Sequence, residues 1–133
     1  VSHARYVLTQ SAGEDIRDLA DWSLSRWGKE KTAAYLTELH QRLVYLSENL
    51  DTVQRNQTFA DLNGGTGLML YPVQKHYVVF LPLGEQFIAV VAVIRQGRDV
   101  PTILKKHAIA IRGELQEIQD KIAQGQIKHP DPK

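Results

Sequence analysis

The run Phe87-Ile88-Ala89-Val90-Val91-Ala92-Val93-Ile94 constrains this chain more than any other stretch. Alternate side chains of a strand point to opposite faces, so an unbroken apolar run gives a strand that is apolar on both. Such a strand belongs in the middle of a sheet, covered on both sides. The rest of the chain must therefore supply two covering layers. The run ends abruptly in Arg95-Gln96-Gly97-Arg98-Asp99. Two arginines beside a glycine at a strand end make a handle for a carboxylate or phosphate, whereas Asp99 can simply cap the next helix.

Residues 68–73 and 76–81 are two further β-prone runs, and with residues 86–94 they predict a three-stranded meander. Pro72 predicts that the first either ends there or sits at a sheet edge, because proline cannot donate to the ladder. Leu83-Gly84-Glu85 is the expected hairpin turn between the second and third. Near the start, Tyr6-Val7-Leu8-Thr9 is a short β-prone run.

The first cover is helical. Ser11-Ala12-Gly13-Glu14 reads as a capping box, and Ile16, Leu19, Ala20, Leu24 and Trp27 then recur at helical spacing. Gly28 ends this helix, and a second begins at once with the stripe Leu36, Leu39, Leu43, Leu46, Leu50. So short a connection predicts an antiparallel helical hairpin. Residues 51–67 carry no period and include Asn63-Gly64-Gly65-Thr66-Gly67, a loop by composition. No Lys-Ser/Thr pair follows those glycines, so a flexible turn is expected there rather than a phosphate cradle.

The second cover comes last. Asp99 and Pro101 open a helix in which Leu104, Ala108, Ile111, Leu115, Ile118 and Ile122 form one apolar stripe. Gly113 is its weak point and Gly125 its end, and Lys128-His129-Pro130-Asp131-Pro132-Lys133 reads as a solvated tail. The stripe needs a partner. Packing in cis on the second face of the central strand is the favoured outcome, self-association the next, and a contact with another protein the third. The expected fold class is α+β. An antiparallel β-sheet, made of the N-terminal strand plus the C-terminal meander, packs against an α-helical hairpin with an added C-terminal helix.

Several chemistries are excluded or weakened. The chain has no cysteine among its 133 residues, which removes disulfides and thiolate metal sites. His3, His40, His76, His107 and His129 show no metal-ligand spacing, so neither a metal nor another cofactor is expected. No run is long and apolar enough for a bilayer, and Val1-Ser2-His3-Ala4-Arg5 lacks the layout of a secretory signal, so a cytoplasmic protein is expected. A net charge of +1 does not argue for nucleic-acid binding. The excess of cations lies in the second half, where an anionic partner is more plausible. Trp22 and Trp27, five apart, are not expected to share a face. Trp27 falls on the core stripe, and a partly exposed Trp22 is a candidate anchor for a partner. Tyr35 and Tyr45 are expected to pack in the hairpin, Ser11 to cap rather than attack, and Lys105 and Lys106 to be solvated.

Three segments carry a resemblance to the ParE/RelE toxins of bacterial toxin–antitoxin modules. They are YVLTQSAGEDIRDLADWSLSRWG, AAYLTELHQRLVYL and HYVVFLPLGEQFIAVVAVIRQGRDVPTIL. The similarity runs over about residues 6–104. It implies a toxin domain at residues 1–104, followed by a C-terminal helical extension and polar tail at 105–133. Within the superfamily the chain looks more like the ParE branch, whose last strand commonly ends in an Ile/Leu-His-x-x-Arg-Asp pattern. Arg95 stands here where that histidine usually stands.

The resemblance implies a type II toxin that binds and inhibits DNA gyrase without catalysis and is neutralised by a cognate antitoxin. It implies no direct sequence-specific binding of nucleic acid. Arg95, Arg98, Asp99 and Trp22 are the candidate partner-binding residues, and no catalytic residue is assigned. The alternative is a RelE-like endoribonuclease, and a third reading is a toxin-fold member that has lost toxicity. Ribonuclease chemistry needs a base, a proton donor and a clamp of cations. Between Asp51 and Val73 the only cation is Arg55, and no tyrosine follows Asp99 where such enzymes often place one.

Overall fold

A computed structural model of the chain describes residues 6–55, 65–84 and 86–125. Its elements are β1 (Tyr6–Leu8), α1 (Gln10–Trp27), α2 (Lys29–Glu48), α3 (Leu50–Arg55), β2 (Met69–Val73), β3 (His76–Gly84), β4 (Phe87–Arg95), α4 (Val100–Lys106) and α5 (Ala108–Ala123). Asn63 and Gly64 of the expected glycine loop, Glu85 of the expected hairpin turn, His3 and the tail from Lys128 lie outside the described residues.

The strand order is β1-β4-β3-β2, so the all-apolar strand is central, as its composition requires. The sheet is mixed. The meander β2-β3-β4 is antiparallel, whereas β1 joins β4 parallel, because α1 and α2 carry the chain away before it returns. Pro72 lies on β2, an edge strand.

Each face of β4 has its own cluster. Ile88, Val90 and Val93 pack with Ala12, Leu19, Leu39, Leu43 and Leu46 of the helical hairpin. Ala89, Val91, Ala92 and Ile94 pack with Val100, Leu104, Ile111 and Leu115 of α4 and α5. The C-terminal stripe therefore packs in cis on the second face. Val91 and Ala92 share that face because β4 carries one extra residue there: Val79 pairs with Ala92, and the next residue, Phe80, pairs with Val90. The bulge shifts the alternation for everything after it. Counting strictly from Ile88 would put Arg95 on the α4–α5 side; after the bulge it follows Val93 to the hairpin side.

Besides the parallel pairing of β1, where an antiparallel sheet is expected, five details differ from expectation. The cap of α1 is Thr9, whose hydroxyl accepts from Ala12 N at 3.1 Å, while its backbone stays strand-like at φ −68°, ψ 164°. Ser11 lies inside the first turn and donates instead to Glu114 of α5 at 2.7 Å. The buried stripe of α1 runs through Ala12, Leu19 and Ser23, so Leu24 (49% exposed) and Trp27 (41%) lie outside the core. Residues 50–55 form α3 and bury Val53, a helix too short to show a period in sequence. The last helix breaks at His107, not at Gly113, which sits inside α5.

Candidate functional site

Each residue of Arg95-Gln96-Gly97-Arg98-Asp99 has a distinct task. Gln96 stitches the end of β4 to the β2–β3 turn: its N–H donates to Lys75 O at 2.8 Å, and its side chain donates to Gln74 O at 2.9 Å and His76 O at 3.2 Å. Gly97, at φ 95°, takes a left-handed conformation that reverses the chain. Asp99 caps α4, receiving Thr102 N at 3.4 Å and the Thr102 hydroxyl at 2.8 Å. Those contacts leave Arg95 and Arg98 exposed at the end of the sheet.

Arg95 lies over the Trp22 ring at 5.1 Å, and Arg26 lies over the same ring at 5.2 Å. Trp27 meets Trp22 edge-on, with centroids 4.9 Å apart at 85°. The expectation that the two tryptophans stand apart is corrected here. A five-residue step separates their Cα directions, but Trp27 ends the helix and its long ring reaches back. Lys75, in the β2–β3 turn, sits 6.0 Å from the Trp27 ring. Cations over indole faces are attracted by the ring quadrupole, so this end of α1 is an aromatic and cationic platform.

The platform borders two depressions. One is a groove between α1, α2 and the β2–β3 turn, lined by Trp22, Trp27, Lys31, Tyr35, Lys75 and Arg95 among others. The other is a cleft in which Asp15, Asp18, Trp22, His76, Arg95 and Arg98 meet. Three of the four residues singled out in the sequence, Trp22, Arg95 and Arg98, thus share one cleft, and Asp99 stands behind them as a cap.

Tyr35 and His76 form the wall between sheet and hairpin. Tyr35 Oη lies 2.7 Å from His76 Nδ1 and donates to Val73 O at 3.2 Å. Both contacts are satisfied together when Nδ1 carries the imidazole proton. Burial, aided by the charge of Glu38, pushes the Tyr35 phenol up to about 12. Burial, and then the charge of Arg95, lowers the His76 pKa below its ordinary value, so the ring is neutral at neutral pH. Burial raises the Asp15 carboxyl against the opposing effect of the Val93 N–H it accepts at 3.0 Å.

Sequence reasoning missed Arg26, Trp27, Lys75, His76 and Tyr35. Arg26 stands four residues after Trp22, a helical spacing that signals the pair, whereas Lys75 and His76 meet α1 and Tyr35 only because the β2–β3 turn folds over the hairpin, which no local pattern encodes. Among the described residues, no group of three His, Cys, Asp or Glu side chains is placed to hold a metal ion. No described helix is long and apolar enough to cross a membrane.

A search of curated proteins finds no relative. One solved chain, from "Chromosomal ParDE TA system from P. aeruginosa", is similar at 16% identity and a TM-score of 0.43, covering 68% of this chain and 92% of that chain. That likeness is too low to support an assignment. The model of the ParE toxin family, described as "ParE toxin of type II toxin-antitoxin system, parDE", matches residues 6–100. That span holds the helical hairpin, the meander, Trp22, Arg95, Arg98 and Asp99. The chain belongs to the ParE toxin family.

Proposed function

We propose that this protein, the toxin component of a type II module, acts in the cytoplasm by binding DNA gyrase without catalysing a reaction and is neutralised by a cognate antitoxin. Residues 1–104 carry the activity in this reading, and residues 105–133 cover the second face of the sheet and end in a tail. Arg95, Arg98 and Trp22 make the contact with a partner protein, and Asp99 holds the turn that presents them.

One observation supports binding over catalysis: three of the groups able to move a proton near Arg95 already hold structural contacts. His76 pairs with Tyr35, Asp99 caps Thr102, and Asp15 receives a backbone N–H of the central strand. The experiment is to induce the protein with and without its antitoxin and to score DNA-damage response against translation arrest. A damage response, together with inhibition of supercoiling by purified gyrase, is expected. Replacing Arg95 and Arg98 together by Ala should lower toxicity at least about tenfold with the fold intact, since two exposed charge contacts are lost. Full toxicity in a soluble double variant would remove these residues from the site.

The endoribonuclease reading draws on the cleft that joins His76, a neutral imidazole, to Arg95 and Arg98. Specific cleavage of mRNA by the purified protein, abolished by Arg98→Ala, would establish it in place of gyrase binding. A homodimer through α5 draws on Ile109, which is 89% exposed, and sedimentation of the purified protein tests it.

A further inference from the structure

The groove beside the tryptophan pair, about 340 Å³, is lined by three cations, Lys31, Lys75 and Arg95, and by a single anion, Glu38. Arg26, outside the lining, lies over the ring of Trp22, which does line it. Glu38 already accepts a hydrogen bond from Gln74 at 3.0 Å. The lining also holds apolar surface, from Leu19, Ala34 and the Trp27 ring. Trp27 is 41% exposed beside these cations, and an accessible tryptophan with charged neighbours is the composition of an anchor pocket.

We propose that this groove is the docking site for an acidic polypeptide segment of the neutralising partner, with an apolar side chain against that apolar surface and carboxylates on either side of it. The donor of the segment rests on the function proposed above; the chemistry of the segment rests on the groove alone. Carboxylates suit the cations, which converge from α2, the β2–β3 turn and β4 on one small depression. A nucleic acid suits them less well. Two guanidiniums and the edge of Trp27 already occupy Trp22, leaving little of its π surface to stack a base. The adjoining cleft carries Asp15 and Asp18, which would repel a continuing phosphate backbone.

The two tryptophans of the chain both line this groove, so intrinsic emission reports its occupancy directly. The probe is a short capped peptide of Glu, Asp and Leu, titrated into the full-length protein beside the same peptide with Lys in place of the acids and a single-stranded DNA of similar length. The acidic peptide should give a saturable shift that weakens as salt rises. Replacing Lys31→Gln and Lys75→Gln together should weaken it about tenfold, as expected for two exposed charge pairs. No saturable shift, an equal response to the Lys peptide or to DNA, or a shift that follows protein concentration without peptide would each overturn the proposal. The antitoxin then separates the two ideas. If it neutralises and binds the Lys31/Lys75 variant as tightly as the parent, the groove is not its docking site and the proposed function stands. If no antitoxin neutralises the parent, the proposed function fails while the peptide titration still decides the chemistry of the groove.

Discussion

Gly28 joins the two hairpin helices at φ 87°, ψ 178°, a region that residues with a side chain almost never occupy. An added Cβ would meet nothing within 4 Å, so the strain of a substitution there is conformational and not steric. Gly28→Ala should therefore cost about 1–3 kcal/mol in urea unfolding, with no change in core packing. Tyr35 gives a residue-scale prediction in pH. Its folded pKa of about 12 lies above the unfolded value of 10.0, so the folded state holds the proton more tightly. Its contribution is complete below pH 10 and is lost as pH rises from 10 to about 12. Tyr35→Phe should flatten stability across that window, and urea midpoints on either side of it measure this. His76 has the opposite sign. Its folded pKa lies below 6.5, so the unfolded state binds the proton first and stability falls as pH drops below 6.5.

At the scale of elements, the short first strand shapes the site. β1 pairs only with Ile88, Ala89 and Val90, and the start of α1 continues along the same edge of β4. Thr9 N–H donates to Val90 O at 3.0 Å, the Thr9 hydroxyl donates to the bulged Val91 O at 3.3 Å, and Asp15 receives Val93 N–H. The Thr9 backbone and the side chains of Thr9 and Asp15 thus take over the role of a strand. Asp15→Ala should leave a buried N–H unpaired and cost about 1–3 kcal/mol. Asp15→Asn retains an acceptor and removes a charge whose ionisation burial disfavours, so at neutral pH it should be clearly more stable than the Ala variant. Equal stability of the two in thermal unfolding would show that the Val93 contact carries no weight. Thr9→Ala, which removes both cap and strand contact, should cost about 1–2 kcal/mol.

The whole molecule is a three-layer stack: helical hairpin, sheet, then α4 and α5. The last layer is held by Ile111 and Leu115 in the second cluster and by the Ser11–Glu114 hydrogen bond to the first helix. Ending the chain after His107 removes three buried aliphatic side chains, Ile111, Leu115 and Ile118. At roughly 1.5–3 kcal/mol each, that loss is comparable with the total stability of many domains. The truncated protein should aggregate or unfold at much lower urea. A soluble, monomeric and equally stable truncation would show that α5 contributes nothing to the core.

The sequence by itself determined the long elements and the layering. Residues 87–94 required a central strand with two covers, and the stripes at Leu36, Leu39, Leu43 and Leu46 and at Leu104, Ile111, Leu115 and Ile118 supplied them, because burial periodicity is written locally. Asp99 as a cap and Gly28 as a helix end were legible for the same reason. Tertiary structure alone decided what lies beside Arg95. One extra residue at Val91 selects its face, and a turn distant in sequence brings Lys75 and His76 to the tryptophans of α1. The parallel pairing of β1, the break at His107 and the exposure of Trp27 also lay beyond any local pattern. Each depends on how packed elements share space, and spacing along one element carries no information about its neighbours.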